Sequence, residues 1–250
     1  MITNSLFNGV KYISSCKSTN SVLNNILKEN GDNENIVIRA DYQTKGVGQK
    51  GAFWESEKGK NLLFSFSIGF NELLAVKQFY LSAIVSLSIV NLLKIHLPNE
   101  NISIKWPNDI YVGNKKIAGI LIENTLFADK IKHSIIGIGI NINQKVFISD
   151  APNPISLSII SNKNFDIDII LNQFIKEFEK FYYKLGNRNF DAIKDEYLNF
   201  LYQKDMNCKY LIQDTEINGI IRGVDRFGFL LMEMDNKLRT FDIKEVKYIN

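Results

Sequence analysis

Residues 105 to 124 read KWPNDIYVGNKKIAGILIEN and leave the chain little choice of local fold. Trp106 precedes a proline, which biases it to extended backbone, and Pro107-Asn108-Asp109 makes a tight polar corner at the start of a strand. Gly113-Asn114 is a hairpin turn that sends the chain back as a second, antiparallel strand. Beyond the turn Lys116 and Ala118 share a face, and Gly119 lacks the side chain that would keep another group off the backbone. A ligand can lie there, and a flexible ammonium beside it suits a carboxylate or a phosphate. Taken singly, each residue is better explained as a solvated hairpin lysine and a bulge glycine. Only coincidence with other motifs shifts that balance.

The flanking sequence supplies those motifs. Ser18-Thr19 opens NSVLNNILKEN, whose Val22, Leu23, Ile26 and Leu27 fall on one side and which Gly31 follows, the pattern of a capped amphipathic helix. Residues 35 to 43 alternate like a strand and set Asp41 and Gln43 opposite Ile38 and Tyr42. A glycine-punctuated loop, TKGVGQKGAF, follows and runs past Trp54 into GKNLLFSFSIG, a strand with Leu62, Phe64 and Phe66 on one face. The pattern then predicts a long helix over 72–97, with Asn71 as its cap and Pro98 as its stop. SIIGIGININ, residues 134 to 143, reads as a buried strand interrupted by glycines. Helical periodicity returns over 166–185 and 190–202. From Asn207 the texture changes to short alternating strands punctuated by Gly219, Gly223 and Gly228, which predicts a small β-barrel. These patterns place one domain at 1–203 and a second at 204–250.

Composition narrows the function classes. In 250 residues, 45% hydrophobic and 23% charged, Lys+Arg 30 against Asp+Glu 27 leaves a net charge of +3. The chain is therefore globular, and its mild positive balance falls short of the dense basic footprint of a nucleic-acid binder. Cys16 and Cys208 have no CxxC spacing, and His96 and His133 have no ligating neighbours, so neither zinc nor a disulfide framework is expected. No apolar run approaches the roughly 18 residues of a membrane span and no signal peptide opens the chain, which predicts a cytoplasmic protein. The glycine loop opens no helix and has no following Gly-Lys-Ser/Thr, so it is neither a dinucleotide fingerprint nor a P-loop.

The hairpin, SSCKSTN, DYQTKGVGQKG..W, GKNLLFS, IIGIGININ and the tail GVDRFGFL together resemble the biotin protein ligases, from about residue 10 onward. That resemblance implies an α+β fold of the class II synthetase type, a mixed or antiparallel central sheet flanked by helices, with a C-terminal SH3-like β-barrel. It implies that ATP activates biotin to biotinyl-5'-AMP, and that biotin then passes to a lysine of a carboxylase's biotin carrier domain. Ser18, Thr19, Asn20 and Gln43 would bind the ureido end of biotin, with Gly46, Val47, Gly48, Gln49 and Gly119 around it. Lys116 and Asp109 would be catalytic, Lys116 meeting both the biotin carboxylate and the α-phosphate. Lys50, Trp54, Asn108 and Asn141 would serve the nucleotide, with Asn108, Asp109 and Asn141 also meeting its Mg2+, and no separate metal site is expected. Many family members carry GRGRRGR where this chain has Gly46 to Ala52, so Lys50 or Lys45 is expected to supply the missing positive charge.

Two alternatives stay open. Lipoate and octanoate ligases or transferases share the architecture, although the polar Ser18-Thr19-Asn20 and Gln43 suit a ureido ring better than an aliphatic tail. Some family members also repress transcription through an N-terminal winged helix, but about a dozen residues precede the first motif here and such a domain needs on the order of 50. A monofunctional enzyme that binds neither DNA nor membrane is expected, as a monomer or a homodimer.

Overall fold

The computed structural model describes residues 6–30, 35–70, 72–149, 153–243 and 245–249. Gly31 and Asn71, expected to end one helix and start another, lie outside them. A seven-stranded sheet is built from β1 (Val10–Ile13), β2 (Val37–Ala40), β3 (Leu62–Gly69), β4 (Ile102–Lys105), β5 (Asp109–Val112), β6 (Lys115–Phe127) and β7 (Lys130–Ile140). Its order is β1-β2-β3-β7-β6-β5-β4. Only β1 and β2 pair in parallel; every other neighbouring pair is antiparallel. The sheet is thus mixed, one of the two forms that the resemblance implies.

Alternation along the central strands assigns their two faces. Phe64 and Phe66 of β3 and Ile136, Ile138 and Ile140 of β7 are buried toward one large core. There α2 (Gln78–His96), α4 (Ile167–Gly186) and α5 (Phe190–Asn199) pack together. Phe66 meets Phe178 at 4.8 Å and Phe64 meets Phe174 at 5.0 Å between ring centroids, both edge to face, which is the favoured aromatic geometry. The opposite face carries α1 (Thr19–Asn30), whose Leu23 and Leu27 pack on Ile38 and Ile135. That second face is only partly covered, and the remainder holds the cavity described below.

Two helices differ from their expected limits for the same reason, competition for backbone hydrogen bonds. The stretch before α2 is extended around Leu73 and ends in a 3-10 turn over Ala75–Lys77, so the α-helix begins at Gln78 and not at 72. The Leu73 carbonyl accepts from Ile131 N–H and Ala75 N–H donates to Asp129, which ties this backbone to the tip of the β6–β7 hairpin. Similarly, α5 stops at Asn199 because the next residues line the free edge of β4. Ile104 N–H donates to Phe200 and Tyr202 N–H donates back to Ile104. Ala75–His96 is long and apolar enough to span a membrane, contrary to the sequence expectation, but 72% of its apolar window is buried inside the fold.

A short helix, α3 (Leu157–Ser161), follows β7. The chain then closes with a five-stranded antiparallel sheet of β8 (Asn207–Ile212), β9 (Thr215–Val224), β10 (Leu230–Met234), β11 (Lys237–Phe241) and β12 (Val246–Tyr248), in the order β11-β10-β9-β8-β12. Its first strand begins at Asn207, beside the expected boundary. Tyr210, Ile221, Leu230 and Met232 join the same core cluster as Trp106 and Phe79.

Candidate active site

Strand register alone creates the floor of a cavity. Gly119 of β6 lies opposite Gly139 of β7, and Gly137 of β7 lies between Ser65 of β3 and Leu121 of β6. All three glycines face the α1 side, so adjacent strands expose a strip of bare backbone. Something else fills the space. A Cβ on Gly139 would stand 2.4 Å from Trp54 Cε2, one on Gly119 would stand 2.9 Å from Trp54 Cζ3, and one on Gly137 would meet the Asn20 side chain. The bare position that sequence reasoning reserved for ligand at Gly119 therefore also seats the Trp54 ring.

The cavity holds about 230 Å³. Ser18, Thr19, Asn20, Gln43, Val47, Gly48, Gln49, Trp54, Asn108, Asp109, Lys116 and Gly119 line it, all of them expected site residues. At one end sits a buried polar cluster. Thr19 N–H donates to Gln43 Oε1 at 2.7 Å, Ser65 Oγ lies 2.6 Å from both Thr19 Oγ1 and Asn20 Oδ1, and Asn20 Nδ2 donates to Glu123 Oε2 at 2.6 Å. At the other end Lys116 Nζ lies 2.7 Å from Asp109 Oδ1 and 5.6 Å from the centre of the Trp54 ring. With both side chains only about a fifth exposed, that pair is shielded without being sealed from a ligand. Burial holds Lys105, which pairs across β4–β5 with Asp109, below the ordinary lysine value; Asp109 pulls it up and Lys116 pushes it further down.

Two expected residues, Gly46 and Asn141, do not line the wall. Gly46 turns its backbone to Trp54, accepting from Trp54 N–H at 3.0 Å. Lys50 lies in the short 3-10 turn Gln49–Gly51, beside the cavity in sequence. Asn141 is buried behind it: its amide donates to Ile155 O and its N–H to Ile117 O. Asn141 thereby fastens residues 153–157 alongside β6, where Lys116 N–H donates to Asn153 and Ile155 N–H donates to Lys116.

Sequence reasoning missed Ser65, Glu123, Gly137 and Gly139. The glycines of IIGIGININ were visible, but their alignment with Gly119 is a property of strand pairing. Glu123 ends the hairpin signature itself, and the residue-by-residue reading gave it no role. Among the described residues no group of three or more His, Cys, Asp or Glu is placed to hold a metal ion.

This combination of a polar pocket, a glycine floor and a lysine facing a carboxylate has relatives. Residues 12–141, just over half the chain, match the Biotin/lipoate A/B protein ligase family. The chain belongs to that family. It is 28% identical over 85% of its length to a bifunctional ligase/repressor BirA of Bacillus spizizenii, covering 66% of that protein. It is 30% identical over 80% of its length to the BirA of Salmonella typhimurium, covering 62% of it. The chain thus spans about two thirds, or slightly less, of the length of these curated relatives. A solved structure of the biotin protein ligase from Aquifex aeolicus in complex with biotin and ATP aligns with a TM-score of 0.78 at 26% identity, covering 96% of this chain and 98% of that one.

Proposed function

We propose that this chain is a biotin protein ligase, which joins biotin to AMP and then to a lysine of a carrier domain. The observation that carries this reading is one cavity with chemically opposite ends. Hydrogen-bonding side chains without formal charge meet at Thr19, Asn20 and Gln43, while the Lys116 ammonium stands at the far end beside Asp109. An elongated molecule with an amide-like head and a carboxylate tail fits that polarity.

In the first step a biotin carboxylate oxygen attacks the α-phosphorus of ATP, the bond to the bridging oxygen breaks, and pyrophosphate leaves with that electron pair. Both reactants are anionic. Lys116 offsets their repulsion and stabilises charge on the phosphoryl oxygens, an effect commonly worth several kcal/mol in a water-poor site. Asp109 holds the lysine in place until the substrates arrive. In the second step the neutral amine of the acceptor lysine attacks the acyl carbon, and AMP departs.

Magnesium usually binds through one or two carboxylates together with substrate phosphates. Asp109 is such a carboxylate, and Asn108, whose Nδ2 is taken by Ile120 O, keeps its Oδ1 available. The ion would neutralise phosphate charge there. The loop from Thr44 to Phe53 covers the cavity through Val47, Gly48, Gln49 and Phe53 and limits hydrolysis of the adenylate. Lys50 or Lys45 on this loop supplies the charge of the arginines that many family members carry. Wild-type adenylate formation after changing both to alanine would remove them from the mechanism.

The decisive assay incubates the protein with Mg-ATP and either biotin or lipoate, and follows pyrophosphate release and labelling of a biotin carrier domain. Release with biotin alone supports the proposal. Release with lipoate alone would assign the protein to the lipoate branch, which the polar end of the cavity disfavours.

A further inference from the structure

We infer that Glu123 is a positioning residue that sets the hydrogen-bond polarity of the cavity and makes the Thr19 hydroxyl an acceptor toward the ligand. The inference rests on the biotin reading above and deepens it. It follows from counting protons along one chain of contacts.

Glu123 lies on β6 and is exposed, while Asn20, Ser65 and Thr19 are buried. A carboxylate can only accept, so the Asn20 group 2.6 Å from Glu123 must be its amide nitrogen. The Asn20 carbonyl oxygen then points to Ser65 Oγ, also at 2.6 Å, and it too can only accept. Ser65 has a single hydroxyl proton and must place it there. The remaining 2.6 Å contact, Ser65 Oγ to Thr19 Oγ1, needs a proton as well, and only Thr19 has one left to give.

Thr19 therefore spends its proton on Ser65 and keeps a lone pair for the cavity. Its 3.1 Å contact with Gln43 Oε1 is the long one of the set, and that oxygen also accepts from Thr19 N–H at 2.7 Å. With its oxygen so held, Gln43 turns its amide nitrogen the other way, toward Gly46. The polar end thus offers an acceptor at Thr19 and a donor at Gln43, complementary to a group carrying adjacent N–H and C=O. Gly137 makes the relay possible, because a Cβ there would fall on Asn20 Oδ1.

Replacing the carboxylate by an amide removes the one end whose sense is fixed. In Glu123→Gln the new side chain can donate to Asn20 Oδ1. Asn20 then donates to Ser65, Ser65 to Thr19, and the Thr19 proton is released from Ser65 to the side of the hydroxyl that faces Gln43 Oε1 and the cavity. An exposed glutamate contributes little to folding, so the variant is expected to fold normally.

The test compares biotin with the two cyclic carbamate analogues in which one ureido N–H is replaced by oxygen, using pyrophosphate release. The wild type should reject the poorer carbamate by about tenfold or more, the cost of one buried hydrogen-bond mismatch. Glu123→Gln should raise KM for biotin by about tenfold at near-constant kcat and erase most of that discrimination, while Glu123→Asp, which keeps an acceptor, recovers part of it. A folded Glu123→Gln protein with wild-type discrimination would overturn the inference alone. A wild type that ignores biotin altogether would overturn the functional proposal, and this inference with it.

Discussion

At the residue scale the site reduces to one cation and the bare backbone beside it. Lys116 is pinned by Asp109, by the Trp54 ring and, through its own backbone, by residues 153–155, so its amine is aimed before any substrate binds. Preorganised charge of this kind is worth about 10²–10³ in rate when one group is removed. Lys116→Met should lose that much in kcat/KM for adenylate formation while leaving the melting temperature close to wild type, because the ammonium is not buried in the core. A loss under tenfold would displace the lysine from the chemistry. Gly139 offers a steric check on the floor. An alanine Cβ there overlaps Trp54 Cε2 and Nε1, at 2.4 and 2.6 Å, so Gly139→Ala should expel the ring and raise KM for biotin. The displaced indole should shift its fluorescence to the red, whereas Trp106, buried near β4, remains a constant background. An unchanged spectrum would show that the ring had not moved.

At the element scale two loops bordering the site are stapled together by one side chain. Glu55 directly follows Trp54, and its carboxylate accepts from Ile148 N–H, Ser149 N–H and the Gln144 amide. Gln144 in turn accepts from Glu57 N–H and Asn61, whose own carbonyl accepts from Ile142 N–H. The end of the glycine loop is thus bonded to the segment leaving β7. Burial pushes the Glu55 carboxyl up, but hydrogen bonding from Ser149, Ile148 and Gln144 outweighs it and leaves the group below its ordinary value. A depressed carboxyl contributes stability that is fully present above the ordinary value of about 4.3 and is lost as pH falls through the lower folded value. The amide resonances of Ile148 and Ser149 should therefore titrate together, with a midpoint below that of a free glutamate, and Glu55→Gln should abolish the titration. A midpoint at or above the free value would dissolve the staple.

The same scale explains what could be read beforehand. The hairpin was legible because turn chemistry is local, whereas Lys116 and the glycine loop took their roles from the resemblance. The start of α2 was not, since the hairpin tip at Asp129 to Ile131 captures the backbone that would have begun it. Nor were Ser65, Gly137 and Glu123 legible as a unit. Their meeting depends on the register of the β6–β7 hairpin against β3, which lies far from it in sequence, and a one-residue slip would turn side chains away from the cavity.

For the whole molecule, the question is whether the C-terminal sheet is an appendage or part of the structural unit that holds the site. Trp106, at the corner that leads to Asn108 and Asp109, donates its indole N–H to the Gly228 carbonyl at 2.9 Å. Gly228 has φ +92°, and a Cβ there would lie 2.5 Å from Phe79 Cβ at the start of α2. The β9–β10 turn is therefore pressed against both the corner and the core helix, where only glycine fits. The turn is itself fixed by Asp225 Oδ1, which accepts from Phe227 and Phe229 N–H. Because both sheets share one continuous core, wild-type protein should melt in a single transition. Gly228→Ala adds left-handed strain of about 1–2 kcal/mol and overpacking of about 1–3 kcal/mol. At this chain length the melting temperature should fall by roughly 10 °C. As the corner loosens, adenylate formation should weaken at temperatures where the protein is still folded. Two separate transitions in the wild type, or a Gly228→Ala protein as stable and active as wild type, would make the second sheet an independent attachment.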